Sequence, residues 1–216
     1  MNKKRKIKRI YGLLENYFGD LGWWPADSAF EVIVGAILTQ NTAWKNVEKA
    51  IARLKSERIL SPGKIEKMSE RSLSRFIRSS GYHRVKAARL KAISCFLLDE
   101  CGSNLSRLKR KPPALLRKKL LKVKGVGPET ADSILVYALE KPVFVVDAYT
   151  KRIFSRHGLA SKSASYDEVQ SLVHENFPAK VRSLNQFHAL LVETGKRFCK
   201  KKKALCKDCP LRKEET

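Results

Sequence analysis

The segment LLKVKGVGPETA, residues 120–131, constrains the fold more than any other part of this chain. Gly125 and Gly127 allow backbone conformations that other residues disfavour, so one helix can end before them in a sharp turn. Pro128 follows at once, and proline is typical of the first position of a new helix. The pattern has the form of a helix–hairpin–helix turn, although an ordinary connection between two helices can also carry a lone Gly-Val-Gly.

The same hairpin is suited to holding a phosphate group. Its backbone amides, together with the start of the following helix, can cradle a phosphate without reading a base; they belong to Gly125, Val126 and Gly127. Two nearby lysines, Lys122 and Lys124, add positive charge. We therefore expect these residues to contact the backbone of a polyanion such as DNA.

The net charge also predicts a polyanionic partner. The 216 residues include 45 lysines and arginines against 21 aspartates and glutamates, a formal charge of +24. Nucleic acid is the natural candidate, because each phosphate contact releases counterions. An anionic membrane is the rival, but no apolar run reaches the ~20 residues that a spanning helix needs. The basic N-terminus lacks the apolar core and cleavage site of a signal peptide, so we expect a cytoplasmic protein.

Apolar spacing indicates an all-α fold. Helices are predicted over residues 10–18, 43–55, 63–68, 71–79, 83–99, 113–121, 128–139 and 148–157, and over two later segments, YDEVQSLVHENF and SLNQFHALLVETGKRF. The run FEVIVGAIL is a buried helix or a buried strand, because periodicity alone does not separate them, and Asp27 or Ser28 is its expected N-cap. VFVVDAY has the composition of a strand, but a single strand has no partner, so we interpret it as an extended link.

Three of the five cysteines, Cys199, Cys206 and Cys209, are clustered, whereas Cys95 and Cys101 are isolated. In a cytoplasmic protein such a cluster indicates a metal site more than a disulfide. We therefore regard the three clustered cysteines as candidate metal ligands.

Several segments together make the chain resemble the endonuclease III superfamily, the helix–hairpin–helix DNA glycosylases of base excision repair. The resemblance covers nearly the whole chain and is carried by LTQNTAWKNV (38–47), SGYHRVKAARL (80–90), LLKVKGVGPETADSIL (120–135), VVDAYTKRI (145–153) and ETGKRFC (193–199). It implies two helical lobes: a six-helix barrel at about 25–139, and a second lobe that joins residues 1–24 to 140–216. It also implies a partner, double-stranded DNA with a damaged base, lying across the cleft between the lobes with one nucleotide flipped into a pocket. We expect the protein to act as a monomer.

Asp147 is the first candidate for a catalytic residue. The resemblance implies that the aspartate of VVDAYTKRI helps to break the N-glycosidic bond. The chemistry is consistent, because the sugar becomes oxocarbenium-like and a nearby carboxylate stabilises that charge or orients the attacking water. Asp147 is also suited to capping the helix predicted at 148–157, and it can fill both roles.

Glu129 separates this chain from the strand-cutting members of the superfamily. Those members resemble Gly-Val-Gly-Arg-Lys-Thr-Ala at this point, and their lysine forms a Schiff base with the sugar. A carboxylate cannot form a Schiff base, so Glu129 favours a monofunctional glycosylase that uses water and leaves an abasic site. The alternative role is electrostatic, because a glutamate in the first helical turn complements the helix dipole by ~0.3–1 kcal/mol.

The tryptophans suggest which base is removed. Together with the glutamate after the hairpin, they make the chain similar to bacterial 3-methyladenine DNA glycosylase III and its archaeal relatives. That similarity implies a base pocket formed by Trp23, Trp24, Pro25, Trp44 and Glu129, with Trp44 stacked on the flipped base. A base methylated on a ring nitrogen is cationic and stacks well on indole, by ~0.5–2 kcal/mol. Packing at the junction of the lobes is the alternative role for Trp23 and Trp24.

Gln40 lies in the LTQNT segment. It matches a position that, in the superfamily, plugs the gap left in the duplex by the flipped nucleotide. We therefore expect Gln40 to contact DNA, and its alternative role is that of an exposed polar residue at a helix end.

The resemblance also implies an iron–sulfur loop. The spacing of Cys199, Cys206 and Cys209 matches three of the superfamily's cluster ligands, and the position of the fourth holds Glu215. A [4Fe–4S] cluster ordinarily needs four cysteine thiolates. Three outcomes therefore stay open: a cluster with a non-cysteine fourth ligand, a labile cluster, or no cluster, with the cysteines as small buried apolar groups.

Three functions compete at this point. The first is a monofunctional glycosylase for alkylated purines, which Glu129 and the tryptophans favour. The second is a bifunctional enzyme of the endonuclease III type, a glycosylase and AP lyase that acts on oxidised pyrimidines. The third is a non-catalytic DNA-binding protein, against which Asp147 and the length of the chain both argue.

Overall fold

A computed structural model describes residues 2–102 and 104–214. The central unit comprises residues 26–141, and the terminal unit comprises residues 2–25 and 142–214. The described residues contain no β-strand, which confirms the all-α class predicted from the sequence. No helix in the described ranges is long and apolar enough to cross a bilayer.

The helices follow the predicted order closely. In chain order they are α1 Lys3–Phe18, α2 Ala29–Leu38, α3 Trp44–Ser56, α4 Pro62–Lys67, α5 Glu70–Phe76, α6 His83–Cys101, α7 Ser106–Lys109, α8 Pro113–Leu120, α9 Pro128–Ser133, α10 Ala148–Arg156, α11 Tyr166–Asn176 and α12 Val181–Arg197. A turn of π-helix at 134–138 continues α9. The apolar spacing does not predict the short helix α7, and it leaves α2 undecided between helix and strand.

The FEVIVGAIL run forms α2, the helical alternative of the two that its sequence allows. The Ser28 hydroxyl caps it by accepting a hydrogen bond from the Glu31 amide at 3.2 Å. Every residue from Phe30 to Leu38 is buried. A helix that is buried on all sides has no polar face, which is why its sequence shows no helical periodicity.

The first helix begins at Lys3, earlier than the apolar spacing predicts, so the basic run near the N-terminus is helical. The Asn2 side chain caps it by accepting from the Lys4 amide at 2.9 Å. One face buries Ile7, Ile10 and Leu14 in the core of the terminal unit. The lysines and arginines of the run lie on the other faces, so α1 has one buried apolar face and a positively charged surface.

The VFVVDAY segment is extended and pairs with no strand among the described residues, as expected. Side chains of α11 take the place of a partner strand. The Phe144 amide donates to His174 Nε2 at 3.2 Å, and the Phe144 carbonyl accepts from Gln170 at 2.6 Å. The Val146 amide donates to the Tyr166 hydroxyl at 3.3 Å. These bonds hold the segment that leads into α10.

Candidate functional site

The hairpin between α8 and α9 forms at the predicted place, but only one of its two glycines needs a special conformation and the Val126 amide, expected in the phosphate cradle, is already bonded within the turn. Gly125 adopts φ +85°, a left-handed conformation that favours glycine, whereas Gly127 has φ −94°, which any residue can adopt. The Val126 amide donates to the Val123 carbonyl at 3.0 Å, and the Val126 side chain is buried. The turn is therefore anchored from inside by one valine and shaped by one glycine.

The outer surface of the hairpin offers both donors and charge. The amides of Gly125 and Gly127 donate to no other residue in the part of the chain that the structure describes. Lys122 and Lys124 are exposed beside them. Two backbone donors and two cations are the components of a site for a phosphate group.

Gln40 lies in the turn after α2, and its side chain is held against the hairpin. Its amide nitrogen donates to the Gly125 carbonyl at 3.1 Å and to the Thr130 hydroxyl at 2.9 Å. Its amide oxygen accepts a hydrogen bond from the Arg89 guanidinium. The structure thus brings Gln40 together with the predicted phosphate-binding residues, while its insertion into DNA stays a prediction.

A buried lysine that the sequence analysis does not single out organises the same turn. Lys86 is 1% exposed and donates to the Leu38 carbonyl at 2.8 Å, to the Thr42 hydroxyl at 2.7 Å and to the Ser80 carbonyl at 2.6 Å. Burial, with a smaller contribution from the charge of Arg89, lowers its pKa to about 8. All three ammonium protons are used, so Lys86 ties the end of α2 to the chain before α6.

Two of the predicted pocket residues belong to the central unit, each at the start of a helix. Trp44 is the first residue of α3 and is half-buried. Glu129 lies in the first turn of α9 with its side chain exposed, and its carbonyl accepts from the Ser133 hydroxyl at 2.7 Å. A glutamate in the first turn of a helix interacts favourably with the helix dipole. Because the side chain is also exposed, it can have this electrostatic role and still contact a base.

The other predicted pocket residues lie together in the terminal unit. Trp23 and Trp24 are half-buried and meet edge to face, with ring centroids 6.2 Å apart, and Pro25 beside them is exposed. The Lys196 ammonium lies 5.2 Å from the centroid of Trp23. One face of Trp23 therefore already carries a cation, a feature that the sequence does not reveal.

Asp147 is the N-cap of α10, as predicted, and each carboxylate oxygen has a different neighbour. Oδ1 accepts from the Thr150 amide at 2.7 Å, while Oδ2 lies 3.7 Å from Nε2 of His188 on α12. Burial acts to raise the pKa of Asp147, but the nearby His188 imidazole and the hydrogen bond from the Thr150 amide outweigh it, so the pKa lies below its ordinary value. The cap therefore occupies one oxygen and leaves the charged carboxylate facing an imidazole.

Sequence reasoning misses His188, Arg89 and Lys86 for one reason. A lone histidine in FHALLV is typical of a buried helix face, and nothing local links it to Asp147. Arg89 and Lys86 are two of 45 basic residues, and the sequence does not mark which of these turn inward to bond other segments. Their roles follow from contacts between segments that are distant in the chain.

The three clustered cysteines lie around one cavity in the loop after α12. Cys199 and Cys209 are buried, whereas Cys206 is exposed. The Arg156 guanidinium contacts the Cys199 sulfur at 3.1 Å. The thiols are the right donors for an iron–sulfur cluster, yet within the described ranges no three His, Cys, Asp or Glu side chains are placed to hold one metal ion. The predicted fourth position, Glu215, lies outside the described residues.

Known proteins match the chain over most of its length. A family model described as HhH-GPD superfamily base excision DNA repair protein matches residues 34–179. MJ1434 of Methanocaldococcus jannaschii, a candidate DNA repair glycosylase by name, is 48% identical over 212 residues, 98% of this chain and 96% of that protein. Endonuclease III of Thermotoga maritima is 32% identical over 183 residues, 85% of this chain and 80% of that enzyme.

The fold has a counterpart among solved structures. The structure of H. pylori 3-methyladenine DNA glycosylase (MagIII) bound to 1,N6-ethenoadenine matches with a TM-score of 0.76 and 30% identity, over 91% of this chain and 98% of that one. These matches confirm the resemblance inferred from the sequence. The family model spans well over half of the chain and MJ1434 spans almost all of it, so the chain belongs to the HhH-GPD superfamily of base excision DNA repair proteins.

Proposed function

We propose that this chain is a monofunctional DNA glycosylase that removes alkylated bases with water as the nucleophile and leaves an abasic site. The observation that carries the proposal is Glu129, exposed in the first turn of α9, at the position where the strand-cutting relatives hold a lysine. A carboxylate cannot form the Schiff base on which strand cutting depends. The similarity to MagIII over nearly its full length supports the same assignment.

Asp147 is the proposed catalytic carboxylate. As the N-glycosidic bond breaks, positive charge develops on the sugar, and a fixed carboxylate stabilises it or orients the water that attacks C1′. The lowered pKa keeps this carboxyl ionised at neutral pH. The Thr150 amide holds one oxygen by a hydrogen bond and the His188 imidazole lies 3.7 Å from the other, so the carboxylate is oriented by its cap before substrate binds.

We assign recognition of the flipped base to the tryptophans and Glu129. A base alkylated on a ring nitrogen is cationic, so an indole face attracts it by ~0.5–2 kcal/mol. Since Lys196 already lies over Trp23, we assign the stacking to Trp44, and we propose that Trp23, Trp24 and Pro25 form a wall. Glu129 would add charge complementarity to the same base.

The proposed partner is double-stranded DNA with a damaged base, bound by one copy of the protein. The hairpin supplies the donors and cations for a phosphate, and the overall charge of +24 attracts the duplex. Backbone contacts of this kind carry no sequence information. We therefore expect tight binding to any duplex at low salt, with steep weakening as salt rises.

One experiment tests the assignment directly. The protein is incubated with duplex containing 3-methyladenine or other alkylated bases, and separately with duplex containing oxidised pyrimidines. Released bases and strand breaks are then measured independently. We expect alkylated base to be released without strand breaks, and strand breaks in oxidised DNA would overturn the proposal.

A bifunctional glycosylase and AP lyase is the second candidate. The observation that favours it is the 32% identity to endonuclease III of Thermotoga maritima, which is no lower than the 30% identity to MagIII. Borohydride reduction separates the two candidates, because it traps a Schiff base as a covalent adduct. A covalent protein–DNA adduct on damaged duplex would favour the lyase. Base release without such an adduct would favour hydrolysis.

We propose that Cys199, Cys206 and Cys209 are ligands of a [4Fe–4S] cluster whose fourth ligand is not a cysteine. The match of three spacings and the shared cavity support this proposal, whereas the placement of the described side chains, of which no three can hold one metal ion, does not. Such a cluster ordinarily takes four thiolates, so we expect it to be labile. Iron and sulfide analysis of anaerobically purified protein tests it: about four irons per chain are expected, and a metal-free protein would contradict it.

A further inference from the structure

The Gln40 side chain connects the two sides of the hairpin. We infer that Gln40 and Thr130 are positioning residues that hold the hairpin in the shape that binds a phosphate group. The inference rests on the proposed binding of DNA by the hairpin. It concerns the DNA-free protein and ordinary duplex, and is therefore distinct from any insertion of Gln40 beside a flipped nucleotide.

The peptide between Gly125 and Val126 is fixed at both ends. Its carbonyl accepts from Gln40 at 3.1 Å, and its amide donates to the Val123 carbonyl at 3.0 Å. A planar peptide held at both ends cannot rotate. The free amides of Gly125 and Gly127 flank this peptide on either side, so fixing it also fixes the direction in which they point.

Gln40 also ties the hairpin to the helix that follows. Its second amide proton goes to the Thr130 hydroxyl at 2.9 Å, and Thr130 is only 7% exposed on α9. Both protons of the amide are thus committed to the hairpin and to α9. Because Thr130 is buried, its hydroxyl acts on a DNA phosphate only through the groups that it positions.

Arg89 sets the orientation of the Gln40 amide. Its guanidinium donates to the amide oxygen, which keeps the amino group turned toward the Gly125 carbonyl. The Arg89 side chain also packs directly on Gly125, since a Cβ there would lie 2.3 Å from Arg89 Cγ. Only glycine therefore fits at position 125 beside this arginine, which contacts both Gly125 and Gln40.

The test rests chiefly on Thr130, a buried residue whose hydroxyl we expect to act on DNA only through the groups that it positions. Thr130→Val keeps the side-chain shape and removes the hydroxyl. Gln40→Met removes the two hydrogen bonds that the amide donates and the one that it accepts from Arg89. We expect each to weaken binding to undamaged duplex about three- to tenfold, because a loosened hairpin must be ordered on binding. The slope of log affinity against log salt should not change, because no cation is lost. Fluorescence anisotropy, well below each unfolding midpoint, measures both quantities.

Matched variants separate positioning from general damage. Thr130→Ser restores the hydroxyl and should recover wild-type affinity. Thr194→Val makes the same change at a buried threonine whose hydroxyl bonds only to the Leu190 carbonyl of its own helix, and should bind as wild type. Equal weakening by Thr130→Val and Thr194→Val would overturn the inference.

A last pair of variants distinguishes this inference from the proposed function. Replacing Lys122 and Lys124 together by alanine should weaken duplex binding and reduce the salt slope. If that happens while Thr130→Val and Gln40→Met bind as wild type, the positioning role is wrong and the phosphate site stands. If the lysine variant also binds as wild type, the hairpin is not a DNA contact and both ideas fall.

Discussion

The hairpin of the central unit and the Asp147 site of the terminal unit hold their functional groups by opposite means. In the hairpin, the neutral side chains of Gln40 and Thr130 fix backbone amides, and the shape of the chain is what binds. At the other site, a backbone amide fixes one ionised side chain that faces the His188 imidazole, and its charge is what acts. The first region should therefore be sensitive to changes of volume and conformation, and the second to changes of charge.

The two regions should also respond differently to pH. Gln40 and Thr130, which hold the hairpin, do not titrate. The pKa of Asp147 is lowered from 3.8, and such a carboxyl stabilises the fold above that value. Its contribution is lost as pH falls through the lower pKa of the folded state. Acid should thus disturb the Asp147 site before it disturbs the hairpin.

The largest effect is expected from Asp147→Asn. Asparagine is a good N-cap, so α10 should form as before. The charge that stabilises the sugar cation is lost, and base release should fall about 100-fold or more. Single-turnover release of 3-methyladenine measures the rate, and anisotropy should give unchanged duplex binding. Release within a few-fold of wild type would remove Asp147 from the catalytic role.

Replacing glycine by alanine should destabilise the hairpin at position 125 but not at position 127. In Gly125→Ala the new Cβ meets Arg89 and the backbone stays at φ +85°, so we expect a loss of about 1–2 kcal/mol in unfolding free energy and weaker duplex binding. Gly127→Ala is the matched control, because nothing lies within 4 Å of its Cβ. Urea unfolding and anisotropy check both variants. Equal effects at the two glycines would contradict the geometry of the turn.

Local signals in the sequence predict both the hairpin turn and the position of Asp147. Gly125 and Pro128 specify the turn, because glycine can adopt a left-handed backbone conformation and proline fixes the φ angle at the start of the next helix. Asp147 is predicted as a cap because it directly precedes a helical pattern. The helix α2 is left undecided because burial on every side removes the polar face that distinguishes a helix from a strand.

The residues that support these groups could not be predicted in the same way. Gln40 is predicted to contact DNA, but its bonds to Gly125 and Thr130 join segments far apart in the chain. His188 meets Asp147 only because α12 packs against α10. Lys86 resembles any other lysine in a basic chain until its burial is known. Residues such as Gly125 and Asp147 can be predicted from local sequence patterns, whereas the residues that support them are brought together only by tertiary packing.

Lys86 is a buried charged residue in the central unit, close to the turn that carries Gln40. Lys86→Met leaves three buried acceptors without a donor, so we expect a loss of about 1–3 kcal/mol in unfolding free energy at pH 7. Its folded pKa of about 8 lies below the ordinary 10.5, so the buried charge costs stability that is recovered as pH rises between these values. Wild-type stability attributable to this group should rise from pH 8 to 10.5, and the variant should lack that rise.

Lys64→Met is the control for this experiment. Lys64 is exposed and donates to one carbonyl, that of Arg58, at 2.7 Å. Its loss should change the unfolding free energy by about 0.5 kcal/mol or less. If both methionine variants lose the same stability, or if Lys86→Met keeps the rise above pH 8, the buried ammonium is not the group that organises the turn.

The smallest and most specific effect is expected at His188. The groups that act on the Asp147 carboxyl are the His188 imidazole from α12 and the Thr150 amide and hydroxyl from α10. His188→Phe keeps an aromatic ring but removes the imidazole that opposes the effect of burial. The pKa of Asp147 should therefore rise, and the acid limb of the excision rate should move to higher pH. His188→Gln keeps a donor near Nε2 and should recover part of the shift. An acid limb that stays in place in both variants would mean that His188 only fills space beside the carboxylate.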